Sequence, residues 1–343
     1  MNISKLSRFG ICLASVALVG CASLPDHPKT LVTPPALTAV QKAAAAQAGV
    51  TEQVIAPLLA KPLFALKPAE LSPLLAYMQA AVPDLRQRIA ALARMGIGQP
   101  YELYLLGEFP YEVYDPQALF SLDKSDCVVF VEHIYAMALS DSWEEFFWML
   151  QRIRYKDGVI GVTTRNHYTE ADWNIHNRWL LSDITATVAG PVALPYSQVI
   201  NRTRFFKERY KIDRPFALQQ WSDSYIPKQI VMQRQLDLRS GDFVNVISGI
   251  GGAAWASHVG LVVLGPDGEL RILHSSEPKV REEPLARFIQ RYEEREAEAD
   301  VADKKRPKLL GFKFLRLQEA PEPPPMAPQP RPPRWNAAAT ING

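Results

Sequence analysis

The chain has 343 residues, more than one ordinary core needs and short for three domains. With 48% hydrophobic and 22% charged residues it is neither wholly disordered nor collagen-like. No apolar run reaches the ~18 residues of a membrane-spanning helix. The 38 basic against 36 acidic side chains give no electrostatic case for nucleic acid as a partner. The three cysteines, Cys12, Cys21 and Cys127, are odd in number and cannot form a disulfide scaffold.

Residues 1–20 carry Lys5 and Arg8 ahead of an apolar stretch from Phe9 to Val19, the pattern of a signal peptide. Leu18-Val19-Gly20-Cys21 resembles the bacterial lipoprotein processing site. That resemblance implies cleavage before Cys21, lipidation of its sulfur and a membrane anchor. Ala22, where an aspartate would imply retention at the inner membrane, implies an outer-membrane lipoprotein facing the periplasm. Cys127 is then the remaining thiol, in an oxidising compartment and with no intrachain partner. It is either buried and inert or kept free for chemistry.

Residues 21–47, rich in Pro, Thr and Ala, read as a tether. Residues 48–95 hold apolar residues at helical spacing, as in Asp84 to Met95, and read as a small accessory region of two or three helices. Residues 96–317 alternate helices and strands and form the main core. Residues 318–343, with Pro321, Pro323, Pro324, Pro325 and four further prolines, read as an extended or disordered tail. The charged run from Arg291 to Lys308 reads as a solvated helix or loop.

Around Cys127, Asp123, Ser125 and Asp126 offer cap oxygens. Val131, Ile134 and Ala138 recur at helical spacing. Cys127 therefore falls in the first turn of a helix, where free N–H groups and the positive dipole end favour a thiolate. A small buried core cysteine is the bland alternative. Ser142 and Glu145 form a capping-box pattern for a second, structural helix.

Further on, Phe243 to Ile247 and His258 to Leu264 read as strands separated by a glycine-rich loop containing Gly249, Gly251 and Gly252. Gly265-Pro266-Asp267-Gly268 is a strong turn, with Pro266 and Asp267 at its centre and Gly268 in the left-handed position. That turn pairs Gly265 with Glu269 and sets Gly260 opposite His274. His258 and His274 become diagonal neighbours on one face, roughly 7–8 Å apart from backbone to backbone across the strand pair. A loop one residue shorter or longer separates them. A nucleophilic cysteine needs a base, and the base needs an orienter, so the pair suits Cys127. His167 and His176 could extend it into a metal site, but no spacing here matches a zinc motif and no cofactor is implied. His133 and His27 read as structural or solvated.

Asp126-Cys127, Ser257-His258-Val259-Gly260 and Leu273-His274-Ser275-Ser276 together resemble the NlpC-type cell-wall cysteine hydrolases. The resemblance implies an α+β, papain-like fold with a central antiparallel sheet and the nucleophile at a helix N-terminus. Its catalytic set maps to Cys127, His258 and His274. The N-acetylmuramoyl-L-alanine amidase-like branch is closer still, through Asp126 to Glu132, Ile153 to Gly158, Arg165 to Tyr168 and Asp172-Trp173. The likeness covers about residues 95–317. Substrate contacts are expected from Tyr101, with Tyr104 as the other candidate, and from Asp126, Arg165, His167, Tyr168, Asp172, Trp173 and Ser257; for Arg165 to Trp173 a structural strand and turn with a local ion pair is the equal alternative.

Family endopeptidases often carry Ser-Gly or Thr-Gly after the cysteine, at a corner that holds the free amino terminus of a stem peptide. Val128 and Val129 stand here instead. Valine cannot accept that hydrogen bond, and an unpartnered buried ammonium is costly. The implied activity is hydrolysis of the amide between N-acetylmuramic acid and L-alanine, in peptidoglycan or muropeptides. The alternatives are a D-glutamyl-diaminopimelate endopeptidase and a catalytically silent envelope adaptor.

Overall fold

The computed structural model describes residues 36–302 and 305–330. The signal peptide, the Cys21 lipidation site, most of the tether and the end of the tail lie outside the described residues. No described helix is long and apolar enough to cross a membrane.

Four helices open the described chain: α1 (Ala39–Gln47), α2 (Glu52–Leu59), α3 (Pro68–Ala81) and α4 (Leu85–Met95). Helix α1 falls inside the stretch expected to be a tether. Thr38 and Gln41 explain it. The Thr38 hydroxyl accepts the Gln41 N–H at 3.2 Å, Gln41 Oε1 accepts the Thr38 N–H at 2.8 Å, and Ala44 and Ala45 are buried. After a long loop come α5 (Cys127–Ala138) and α6 (Trp143–Arg154), a π-helix over Thr169–Trp173, and the single turn α7 (Asn174–His176). The chain then alternates β1 (Leu181–Asp183), α8 (Thr185–Ala189), β2 (Leu194–Ile200), α9 (Arg202–Tyr210), β3 (Gln219–Pro227) and α10 (Lys228–Gln233). Strands β4 (Phe243–Ile250), β5 (Ala253–Leu264), β6 (Leu270–Ser276) and β7 (Lys279–Pro284) follow, then α11 (Leu285–Val301) and β8 (Lys308–Leu317). The fold is α+β with an antiparallel sheet in the order β2-β3-β8-β4-β5-β6-β7, and β1 pairs with β8.

Alternation along the strands sends side chains to two cores. Phe243, Val259, Leu261, Leu273 and Leu315 pack with the helices α1 to α6 on one face. Val244, Val246, Val262, Ile272, Phe312 and Phe314 pack with Phe288 and Ile289 of α11 on the other. Residues 48–95 are thus part of the first core rather than an accessory to it. Polar anchors reinforce the join: Arg88 donates to the Ala138 carbonyl at 2.8 Å, and Arg86 to the buried Asp242 carboxylate at 3.0 Å.

The Gly265–Gly268 turn forms as its residues dictate. The Gly268 N–H reaches the Gly265 carbonyl at 3.0 Å, the Gly265 N–H reaches the Glu269 carbonyl at 2.9 Å, and Gly268 takes φ +79°. Leu264 faces Leu270 and Leu261 faces Leu273, the expected register. The glycine-rich loop is shorter than expected. Strand pairing runs to Ile250↔Ala253, and Gly251 and Gly252, at φ +59° and +87°, make a two-residue turn. The tail is extended as far as it is described, and it is docked: the Gln329 amide bridges the Gly158 carbonyl at 2.6 Å and the Ile160 N–H at 3.1 Å.

One buried ion pair links α5, α6 and the π-helix. Arg154 donates to Glu132 Oε2 at 3.0 Å, and the Trp173 indole N–H donates to Glu132 Oε1 at 2.9 Å. Removing one partner of such a pair strands the other charge in the interior. Glu132→Ala is expected to lower unfolding free energy by about 3–5 kcal/mol in urea titration; a loss below about 1 kcal/mol would show that Arg154 finds other partners.

Candidate active site

Asp126 caps α5, its carboxylate accepting the N–H groups of Val128 at 3.0 Å and Val129 at 2.9 Å. Cys127 is the first helical residue and is partly buried. The helix start packs against β5 and β6, whose pairing ends at Leu261↔Leu273. Ser125 and Ser275 make the join: their hydroxyls meet at 3.0 Å, and Ser275 Oγ donates to the Ser125 carbonyl at 2.9 Å. The peptide joining His258 to Val259 lies against the sulfur, the Val259 N–H pointing at it.

The thiol is not the activated thiolate that a helix start suggests. Burial, and after it the Asp126 charge, push its pKa up to about 12, against the weaker pull of the Val259, Val128 and Cys127 N–H groups. The cap explains the reversal. Asp126 spends two first-turn donors on itself and sets a carboxylate beside the sulfur.

His258 and His274 meet on the face of the sheet that α11 covers. His258 Nε2 lies 2.8 Å from His274 Nδ1, with the rings at 86°. His274 Nε2 lies 2.9 Å from Glu283 Oε1. Burial pushes the Glu283 pKa up, but hydrogen bonds from His274 and Arg291 outweigh it and hold it down at about 2. An ionised Glu283 only accepts, so His274 carries its proton on Nε2 and presents a lone pair on Nδ1. His258 then carries its proton on Nε2, and its Nδ1 is left as a base. Both imidazoles are lowered from their ordinary pKa, first by burial; His274 and the Arg281 and Arg291 charges add to this at His258. At rest the thiol and both imidazoles are neutral.

Glu283 and Arg291 are not among the residues that the sequence singles out. Arg291 begins the charged run read as solvated, yet its Nε donates to Glu283 Oε2 at 2.9 Å. Glu277-Pro278 carries the missed signal. Taken as a two-residue turn, it pairs Ser276 with Lys279, sets Ile272 opposite Glu283 and puts Glu283 diagonal to His274. Phe288 packs on both imidazoles, parallel to His258 at 6.1 Å and edge-on to His274 at 5.3 Å, and Tyr292 packs on Phe288 at 4.8 Å.

The other expected contact residues separate into two groups. Tyr101 pairs with Ser125, and its hydroxyl pKa is raised by burial and then by Cys127 and Asp126. Ser257 sits at a bulge opposite Val246 and Ile247, its hydroxyl 2.7 Å from Ser248 Oγ. Trp173 is a core residue instead of a stacking platform, buried against Phe243 with centroids 4.5 Å apart. Arg165 is taken up by Glu108 and Asp115, each at 2.9 Å. His167 Nε2 bonds the Val162 carbonyl at 2.6 Å among Phe205, Phe206 and Tyr210. Asp172 accepts the Tyr168 N–H at 3.1 Å and pairs with Arg202. Arg165, His167, Tyr168 and Asp172 border a separate cavity of about 390 Å3.

A thiol held neutral alkylates in proportion to its small thiolate fraction. Inactivation of Cys127 by iodoacetamide is expected to rise about tenfold per pH unit from pH 7 to 10. A rate already at its plateau between pH 5 and 8 would mean a preformed thiolate–imidazolium pair.

The chain matches the family model described as N-acetylmuramoyl-L-alanine amidase-like over residues 91–294, which holds Cys127, His258, His274 and Glu283. No curated protein matches it. Among solved structures, a Legionella pneumophila protein is 23% identical with a TM-score of 0.57, over 68% of this chain and 89% of its own. An N-acetylmuramoyl-L-alanine amidase from Bacteroides uniformis is 22% identical with a TM-score of 0.52, over 68% of this chain and 99% of its own. At those identities the structures show a shared fold, while the family match spans more than half of the chain. The chain belongs to the N-acetylmuramoyl-L-alanine amidase-like family.

Proposed function

We propose that the chain is a cysteine amidase with a papain-like, NlpC-type catalytic domain, cutting the amide between N-acetylmuramic acid and L-alanine. The observation that carries this reading is the run of hydrogen bonds from His258 through His274 to Glu283, beside the peptide that faces the Cys127 sulfur. Family membership supplies the substrate class. Val128 after the cysteine offers no acceptor for a free amino terminus, which favours an acylated amine over the endopeptidase substrate.

In this scheme His258 Nδ1 takes the Cys127 proton as the sulfur bonds to the carbonyl carbon. His274 orients His258, and Glu283 fixes the tautomer of His274. The Cys127 N–H holds the oxygen that gains charge. His258 then protonates the leaving L-alanine nitrogen, and the C–N bond breaks to leave a thioester. Water, deprotonated by His258, attacks the thioester, and the sulfur regains its proton as the C–S bond breaks. Because thiol and imidazole start neutral, charge separates only when the carbonyl is in place. No metal or cofactor enters these steps. Cys21 would anchor the enzyme in the outer membrane, facing the periplasm.

Digestion of defined muropeptides, read by mass spectrometry, tests the reading. Wild type should release free stem peptides, and Cys127→Ala, folded by circular dichroism, should release none. L-Ala-D-Glu remnants left on the sugar would identify an endopeptidase, and turnover by Cys127→Ala would end the cysteine mechanism. Glu283→Gln offers His274 an amide in place of a carboxylate and should cut kcat by about 10²–10⁴-fold with little change in KM. An unchanged kcat would remove Glu283 from the scheme.

A further inference from the structure

Across the sheet face that carries α5, a second polar cluster lies apart from the histidines. It surrounds a cavity of about 190 Å3 bordered by the π-helix, α7, β1, β3 and β8. Lys313 is buried there between two carboxylates, donating to Asp223 Oδ1 at 2.7 Å and pairing with Asp183. An ammonium has three protons, so one is left over. Three more polar atoms at this cavity are buried without a hydrogen-bond partner among the described residues: Asn174 Oδ1, Trp221 Nε1 and Asp223 Oδ2. Asn174 is 5% exposed, its amide nitrogen given to Asn245 at 2.7 Å. A buried group left unpaired costs roughly 1–3 kcal/mol, so three around one cavity mark a place meant to be filled.

The unspent groups are of two kinds. Asp223 Oδ2 and Asn174 Oδ1 accept; the Trp221 N–H and the Lys313 ammonium donate. A lone ammonium ligand would leave the indole N–H unmet, and a lone carboxylate would face Asp223. An ammonium and a carboxylate on one carbon meet all four. A cavity of about 190 Å3 has room for such a head. The cavity also shares a wall with the catalytic strand: Glu170 lines it, and its Oε1 accepts the Ala256 N–H at 3.1 Å, two residues before His258.

We propose that this cavity binds the zwitterionic head of an amino acid, its ammonium on Asp223 and Asn174 and its carboxylate on Trp221 and Lys313. Resting on the amidase reading, this assigns the cavity to the far end of a diamino acid in the stem. There the ammonium and carboxylate are both free unless a cross-link has acylated that amine. The enzyme would select, by that end, stems whose distal amine is not acylated.

Calorimetric titration of the full chain carrying Cys127→Ala tests this without turnover. The probes are three tripeptides: L-Ala-γ-D-Glu-meso-diaminopimelate, the same peptide acetylated on its free amine, and the lysine analogue that lacks the distal carboxylate. The first should bind, and the other two should bind at least about tenfold more weakly. Asp223→Asn also loosens Lys313, so Trp221→Phe, which removes the indole N–H and keeps an aromatic ring, is the safer variant. It should weaken the first peptide about tenfold and leave the lysine analogue unchanged. Equal affinities for the three peptides, or no effect of Trp221→Phe, overturn the proposal and leave ordered water as the occupant. Because binding is read as heat, failure of the amidase assay does not touch this result, and failure here leaves the amidase reading standing.

Discussion

Two hydrogen bonds close the Gly265–Gly268 turn, and the alignment of β6 on β5 follows from them. Leu261 and Leu273 thereby reach the core under α5, while Val262 and Ile272 reach the core under α11. The same alignment brings His258 and His274 within hydrogen-bond distance. Slipping by one residue would exchange the two cores and send the histidines to opposite faces. Apolar packing and the polar site are thus alternatives to the same error, and each guards the register that the other needs. β7 inherits the alignment through Ser276↔Lys279, which delivers Glu283 to His274.

The sheet also joins two helical layers through one polar chain. Cys127 comes from the layer of α1 to α6, and Arg291, which binds Glu283, comes from α11 on the other side. Between them the chain crosses β5, β6 and β7 sideways. A buried polar chain is stable only when its members are satisfied, and here the run His258–His274–Glu283 is closed by charge at its outer end, where Arg291 and Arg281 meet Glu283. The Glu132–Arg154–Trp173 group does the same for the α5 layer. It explains why Trp173 lies inside, since Glu132 needs its indole proton.

Much of this was legible in the residues themselves. Helix starts at Asp126 and Ser142, the turn at Gly265 and the diagonal histidines rest on local chemistry, and local chemistry is read from sequence. The rest depended on distant partners. Arg165, His167 and Asp172 have the composition of a binding surface, but Glu108, Val162 and Arg202 take up their polar atoms. Helix α1 was hidden because a run of alanines after proline and threonine looks like linker until its two buried alanines find α3. The state of the thiol was hidden too, because a helix start favours thiolate until the cap residue itself supplies a negative charge. Arg291 was masked by its own neighbourhood of exposed charges.

The high pKa of Cys127 has a consequence for the chemical lifetime of the protein. The thiolate is the form that attacks peroxides and disulfides, and with a pKa of about 12 its fraction at pH 7 is on the order of 10⁻⁵. The first rung of sulfur oxidation, sulfenic acid, is therefore slow to form, and mixed disulfides are slow to exchange. Cys127 has no resolving cysteine among the described residues to rescue it. A sulfur kept protonated at rest is thereby protected from both reactions.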